Sequence, residues 1–248
     1  MKKFLVAFVL GAALVVLLSF SPSRPKYNHA PITPERKATH MITYYEDEDK
    51  GIGNPSGLCT GTAVGPHALL TALHCDEGET DVISLDLAVQ KYHIVGHIYD
   101  GRDHIIYRLD GPAFKDFVTI QEREAKVGET VTSYGDGRGD FPQHTYFGKV
   151  IEDSNGGDTS EIDMAAGAHN FSLPVIPGDS GSAIYGTDGD IVALVTYGGS
   201  NEYTGTKEAV GFALNFSAKE LEMIRETQND NDKPSGDPGT ASTNQHPQ

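Results

Sequence analysis

The feature that most constrains this chain is its rhythm from Leu58 onward: short apolar or alternating runs separated by clusters of Gly, Asp, Asn and Pro. Alternation bounded by turn residues reads as strand, and many such strands in succession read as an all-β chain. The runs predict strands at Met41–Tyr45, Cys59–Val64, Ala68–Ala72, Asp81–Leu85, Tyr92–His97 and Ile105–Leu109. Beyond the charged link "QEREAKVGE" they predict Thr130–Tyr134, Thr145–Glu152, Met164–Ala166, Ser182–Tyr185, Ile191–Tyr197 and Ala209–Asn215. The break near Glu122–Gly128 divides them into two groups of similar size, which suggests two stacked β-units. One helix is expected in "FSAKELEMIRETQ", where Ser217 and Glu220 make a capping box and Leu221 and Ile224 an apolar face.

The ends and the charge narrow the function. Lys2 and Lys3 precede an apolar run from Phe4 to Phe20, the pattern of an export signal that is either cleaved or kept as an anchor. Membrane association is expected only if that run is retained. A formal charge of −16 argues against non-specific nucleic-acid binding, which needs basic surface. In an exported chain the pair Cys59 and Cys75 reads as a disulfide, and a loop this short contributes about 3 kcal/mol.

The stretch "IPGDSGSAIY" places Ser180 between Asp179 and Gly181, just after Gly178. Such a turn is either plain surface or a device that presents a nucleophile beside converging backbone N–H groups. A serine nucleophile needs an imidazole base, and the imidazole needs an acceptor on its other nitrogen. His74 in "LLTALHC" ends an apolar strand beside a cysteine, and in "DGRDHIIYRLDG" only Asp103 leads directly into the apolar run.

"TALHC", "DHIIYRL" and "PGDSGS" resemble, in that order, the His, Asp and Ser boxes of the chymotrypsin-like (trypsin-fold) serine proteases. The Cys59–Cys75 pair is similar to the disulfide that closes the family's His loop, and the resemblance covers Met41 to Thr227. It implies two antiparallel six-stranded Greek-key β-barrels with the active site between them and a C-terminal helix. The resulting organisation is 1–23 signal peptide or anchor, 24–40 polar tether, 41–121 first barrel, 122–227 second barrel with helix, and 228–248 disordered tail. It implies Ser180 as nucleophile, His74 as base, Asp103 as its support, and the N–H groups of Gly178 and Ser180 as the oxyanion hole.

"GDSGS" in place of "GDSGG", with "TYGGSNEYTG" downstream, is closer to small bacterial and viral members including the glutamyl-endopeptidase group, and "VIPGDS" and "VGFALNF" resemble segments of the HtrA proteases. No Arg or Lys precedes an "IVGG", so Asp179 is expected to find donors other than a freshly cut N-terminus. Val175, Ile176, Thr196, Tyr197, Gly198 and Gly211 are expected to bind substrate, and with no acid before the nucleophile a small or medium apolar P1 side chain is favoured. The expectation is thus an exported, monomeric serine endopeptidase, secreted or periplasmic, acting on protein or peptide without cofactor. The alternative is a trypsin-fold binding or adhesion module without turnover; an esterase using the same triad is a third reading.

Other motifs read as structure. His93 and His97 lie in a strand-like run, where this spacing does not favour chelation, so no metal site is expected. The acidic stretches Glu46–Asp49 and Asp136–Asp140 read as solvated turns rather than calcium sites, and Arg138–Asp140 ("RGD") as a hairpin turn. Asn170 and Asn215 open "NFS" sequons, which matter only in a eukaryotic secretory pathway.

Overall fold

The computed structural model describes residues 31–44, 57–76, 82–86, 91–121, 123–139, 143–151, 168–200 and 207–230. The export segment, Met164–Ala166, Glu46–Asp49 and most of the expected tail lie outside them. Two closed antiparallel barrels of six strands each make up the fold. The first contains β1 (Thr39–Tyr44), β2 (Gly57–Gly65), β3 (Ala68–Ala72), β4 (Val82–Leu85), β5 (Lys91–Tyr99) and β6 (His104–Asp110), closing in the order β1-β2-β3-β6-β5-β4. The second contains β7 (Thr130–Gly135), β8 (His144–Ile151), β9 (Ala168–Phe171), β10 (Ala183–Tyr185), β11 (Ile191–Ser200) and β12 (Lys207–Phe212), closing in the order β10-β11-β12-β9-β8-β7. Closure removes the unpaired edges that an open sheet would leave.

Each barrel has its own apolar filling. Ile42, Leu69, Ile83, Ile105 and Tyr107 fill the first, and Val131, Phe171, Leu173, Ile184 and Val192 the second. A third cluster joins the two: Leu70 and Ile106 meet Tyr134, Tyr185, Ile191 and Leu194, and Phe216 and Ile224 close over them. The barrels therefore share a core.

Several boundaries differ from expectation for local reasons. Part of the expected tether is built into the fold: Pro34–Lys37 form a single helical turn (α1), and β1 begins at Thr39. Thr33 caps α1 by accepting the Arg36 N–H at 3.3 Å, and Pro34 sits where its missing N–H costs nothing. Strand β12 ends at Phe212 rather than Asn215, because Ala213 and Asn215 turn to bond with the segment ahead of β6. Helix α2 (Ala218–Asp230) runs past Gln228, and its capping box is formed: Ser217 N–H donates to Glu220 at 2.6 Å and Glu220 N–H to Ser217 Oγ at 3.3 Å. No helix among the described residues is long and apolar enough to cross a membrane.

Candidate active site

The register of β3 against β6 sets Ala72 opposite His104, so the residues just past the one strand and just before the other become neighbours. Those residues are His74 and Asp103. His74 sits in the 3-10 turn Leu73–Cys75, held on one side by the Cys59–Cys75 disulfide and on the other by Leu73 N–H bonding Asp103 O at 3.1 Å. The Asp103 carboxylate takes His74 twice: Oδ1 accepts the backbone N–H at 2.9 Å, and Oδ2 lies 2.8 Å from Nδ1. This places the ring proton on Nδ1 and leaves the Nε2 lone pair as the basic position. Burial pushes the Asp103 carboxyl up, but the His74 hydrogen bond, its charge and its backbone N–H outweigh that and hold it below its usual range.

The nucleophile candidate comes from the second barrel, in the turn that leads into β10. Gly178 at φ 100° and Gly181 at φ 83° adopt left-handed backbone that other residues resist. At Gly181 a Cβ would also collide with the Thr71 hydroxyl and the Thr60 carbonyl, so the turn presses directly against the first barrel. Thr60 in β2 is the clamp. Its N–H donates to Ser180 O at 2.8 Å, and its hydroxyl donates to Gly178 O at 2.9 Å and accepts Asp136 N–H at 3.0 Å. The turn after β7 props the other side, with Arg138 N–H on Pro177 O at 2.8 Å.

These bonds have a consequence for the free N–H groups. Those of Asp179, Gly181 and Ser182 go to Ile176 O, Val195 O and Asp179 O, and that of Ile176 to the Asp179 carboxylate. Because Pro177 O faces Arg138, the trans peptide points the Gly178 N–H the opposite way. The turn is thus locked with the Gly178 and Ser180 N–H groups outside its own bonding pattern.

Asp179 is fully buried and has donors of its own: Tyr146 OH at 2.6 Å, and the Gly137 and Ile176 N–H groups at 2.8 Å each. Burial pushes its carboxyl up, and these donors pull against that without reversing it. Asp136, expected in a solvated turn, is instead fully buried, since its turn lies pressed beneath Pro177 and Gly178.

A cavity of about 620 Å³ lies between the barrels. His74, Asp103 and Ser180 all line it, as do Val175, Ile176, Thr196, Tyr197 and Gly198. Gly198 lies across from Val175, where a Cβ would collide with the valine and narrow the space. Gly211 does not line it; Phe212 does, together with Val195, Pro177, Gly101 and Arg102. A register shift between Val195 and Tyr197 offsets β11 against β12, and a Cβ on Gly211 would run into the Leu194 carbonyl. That shift carries no signal in the sequence. Thr60, Tyr146 and Arg102 also escape sequence reading, because their partners lie far along the chain.

Chemically, the cavity is lined by a hydroxyl, an imidazole oriented by a carboxylate, and Pro177 and Ser180 of a turn whose Gly178 and Ser180 N–H groups make no backbone bond among the described residues. No group of three or more His, Cys, Asp or Glu side chains among the described residues is arranged to hold a metal ion.

No protein-family model matches the chain, and no curated protein matches it by sequence. Solved structures do. An inactive serine-to-alanine mutant of Rv3671c from M. tuberculosis H37Rv is similar at 15% identity and a TM-score of 0.54, over 87% of this chain and 98% of that one. Neuropsin, a serine protease of the mouse brain limbic system, is similar at 19% identity and 0.57, over 79% and 96%. A Glu endopeptidase is similar at 17% identity and 0.55, over 81% and 95%. The fold of this chain is the trypsin-like double barrel of the chymotrypsin-like serine proteases.

Proposed function

We propose that the chain is an exported serine endopeptidase that cleaves peptide bonds through an acyl-enzyme. Ser180 Oγ attacks the scissile carbonyl carbon while His74 Nε2 takes its proton; the C–N bond then breaks as His74 returns that proton to the leaving amine. Water, deprotonated in its turn by His74, hydrolyses the ester and frees Ser180. Asp103 fixes the His74 tautomer and supports the imidazolium. The Gly178 and Ser180 N–H groups receive the developing oxyanion, where one such donor contributes about 3 kcal/mol. No cofactor is required.

The observation that carries this reading is the His74–Asp103 bond of 2.8 Å opening onto a cavity shared with Ser180. The apolar walls at Val175, Ile176, Val195 and Phe212 support a small or medium apolar P1 side chain. The three donors on Asp179 support activity without a cleavage that frees a new N-terminus. The disulfide points to an oxidising compartment, which fits a secreted or periplasmic protein. The experiment is labelling of the full chain and its Ser180→Ala variant with a fluorophosphonate, together with digestion of a peptide library. Labelling and cleavage confined to the wild type are expected. A folded wild type that neither labels nor cleaves would move the binding-module reading to the front.

A further inference from the structure

Among the residues lining the cavity, one is an Arg or Lys. Arg102 precedes Asp103 in the segment ahead of β6 of the first barrel, and it lines the cavity together with Val175, Ile176 and Pro177 of the second. It is part-buried, and one arm of its guanidinium is anchored: Nη1 donates to Ala213 O at 2.6 Å. A guanidinium has five N–H donors, so this bond fixes its position without saturating it.

The carboxylates nearest in sequence are already engaged. Asp100 accepts the Arg102 backbone N–H at 2.8 Å on Oδ1, with Asn215 N–H at 3.0 Å and His104 Nδ1 at 2.5 Å on Oδ2. Both oxygens of Asp103 are taken by His74. Among the described residues the Arg102 side chain forms no ion pair, although the chain as a whole carries sixteen more acidic than basic side chains. A cation held in place on an apolar cavity, with donors left over, is a receptor for a carboxylate.

Resting on the endopeptidase reading, we propose that Arg102 selects substrates carrying an Asp or Glu side chain N-terminal to the P1 residue. On that reading the P1 side chain occupies the apolar space at Val175 and Gly198, both from the second barrel, whereas Arg102 lines the cavity from the first barrel, next in sequence to Asp103. A residue preceding P1 therefore meets it. The acidic surface repels such peptides at long range, but at physiological salt that repulsion is screened within about 8 Å, whereas a direct ion pair in the cavity is not.

The test is a mixed peptide library cut by the full chain and read by mass spectrometry, followed by matched peptides with Glu or Gln at the position found. The wild type is expected to enrich Asp and Glu at one position before P1, with kcat/KM about 10-fold higher for Glu than Gln, mostly through KM. Arg102→Gln should bring that ratio close to one, Arg102→Lys should restore part of it, and Arg102→Glu should turn the preference toward Lys and Arg. Each ratio is taken within one variant, so differences in the amount of folded enzyme cancel. Absence of acidic enrichment in the wild type, or a Glu:Gln ratio unchanged in Arg102→Gln, would overturn the proposal. If the wild type cleaves nothing, the endopeptidase reading is what has failed. Calorimetric binding of the same Glu and Gln peptides to Ser180→Ala, with and without Arg102→Gln, then decides Arg102 by the same ratio.

Discussion

Of the Asp–His pairs among the described residues, two are built on neighbouring carboxylates, Asp103 and Asp100, and they share a geometry but stand in opposite surroundings. Asp103 meets His74 Nδ1 at 2.8 Å, and Asp100 meets His104 Nδ1 at 2.5 Å. The His74 side chain is 43% exposed and looks into the cavity, whereas both members of the second pair have side chains shielded completely from solvent. Asp100 also accepts from Arg102 and Asn215, tying the segment before β6 to the chain that leaves β12. One pair faces a space where a substrate can sit, and the other fastens the two barrels where that space begins. What separates the two pairs is the setting of the imidazole, open to the cavity in one and enclosed in the other, not the Asp–His bond.

The largest expected effect separates the two pairs by activity. Asp103→Asn keeps the shape but removes the acceptor that sets the tautomer, so kcat should fall by about 10³–10⁴-fold with little change in melting temperature. Asp100→Ala should do the reverse. It leaves three donors, one buried and two part-buried, without their acceptor, at about 1–3 kcal/mol each, which lowers the melting temperature by roughly 10 °C. Activity per folded molecule at 20 °C should be reduced far less than in Asp103→Asn. Thermal melts and steady-state kinetics on both variants check this; equal losses of kcat would show that the buried pair also takes part in the chemistry.

How much of this was legible in the sequence follows the same division. His74, Asp103 and Ser180 each sit in a short local motif, and the alternation around them encodes the strands that carry them. The β3 limits were read residue for residue because Ala68–Ala72 is bounded by a turn and a helical corner. The fastenings were not legible. Thr60 reaches Gly178 and Asp136, Tyr146 reaches Asp179, and Arg102 reaches Ala213, each across a chain separation that no local pattern records. Gly211 stands outside the residues that line the cavity, and the register shift in β11 beside it is a tertiary event that no local pattern records. The acidic turn at Asp136 looked solvated because charge predicts exposure only until another segment packs on it.

Thr60 offers a smaller and sharper test of what fastening contributes to chemistry. Thr60→Val preserves volume and the backbone bond to Ser180, but it deprives Gly178 O of its donor and Asp136 N–H of its acceptor. If the turn loosens enough to disperse its free N–H groups, kcat should fall about 10-fold while KM changes little, and Thr60→Ser should recover most of it. An unchanged kcat with a lowered melting temperature would place Thr60 with Asp100, as a fastener alone.

Asp136 is the limiting case, a buried carboxyl with neither of its oxygens hydrogen-bonded among the described residues. Burial first, and then the charges of Asp86 and Asp179, push it up to about 8, with Arg36 pulling weakly the other way. The sign follows from proton binding. Between the ordinary Asp range near pH 4 and pH 8 the unfolded chain has released this proton and the folded chain keeps it, so rising pH favours unfolding. The stabilisation is fully present below about pH 4 and gone above pH 8. Asp136→Asn cannot ionise, so its melting temperature should gain on the wild type as pH rises from 5 to 9, by the equivalent of about 1 kcal/mol or more, and then level off. Parallel melting curves across that range would mean that Asp136 finds a donor or a cation in solution, as Asp179 and Asp100 do within the fold.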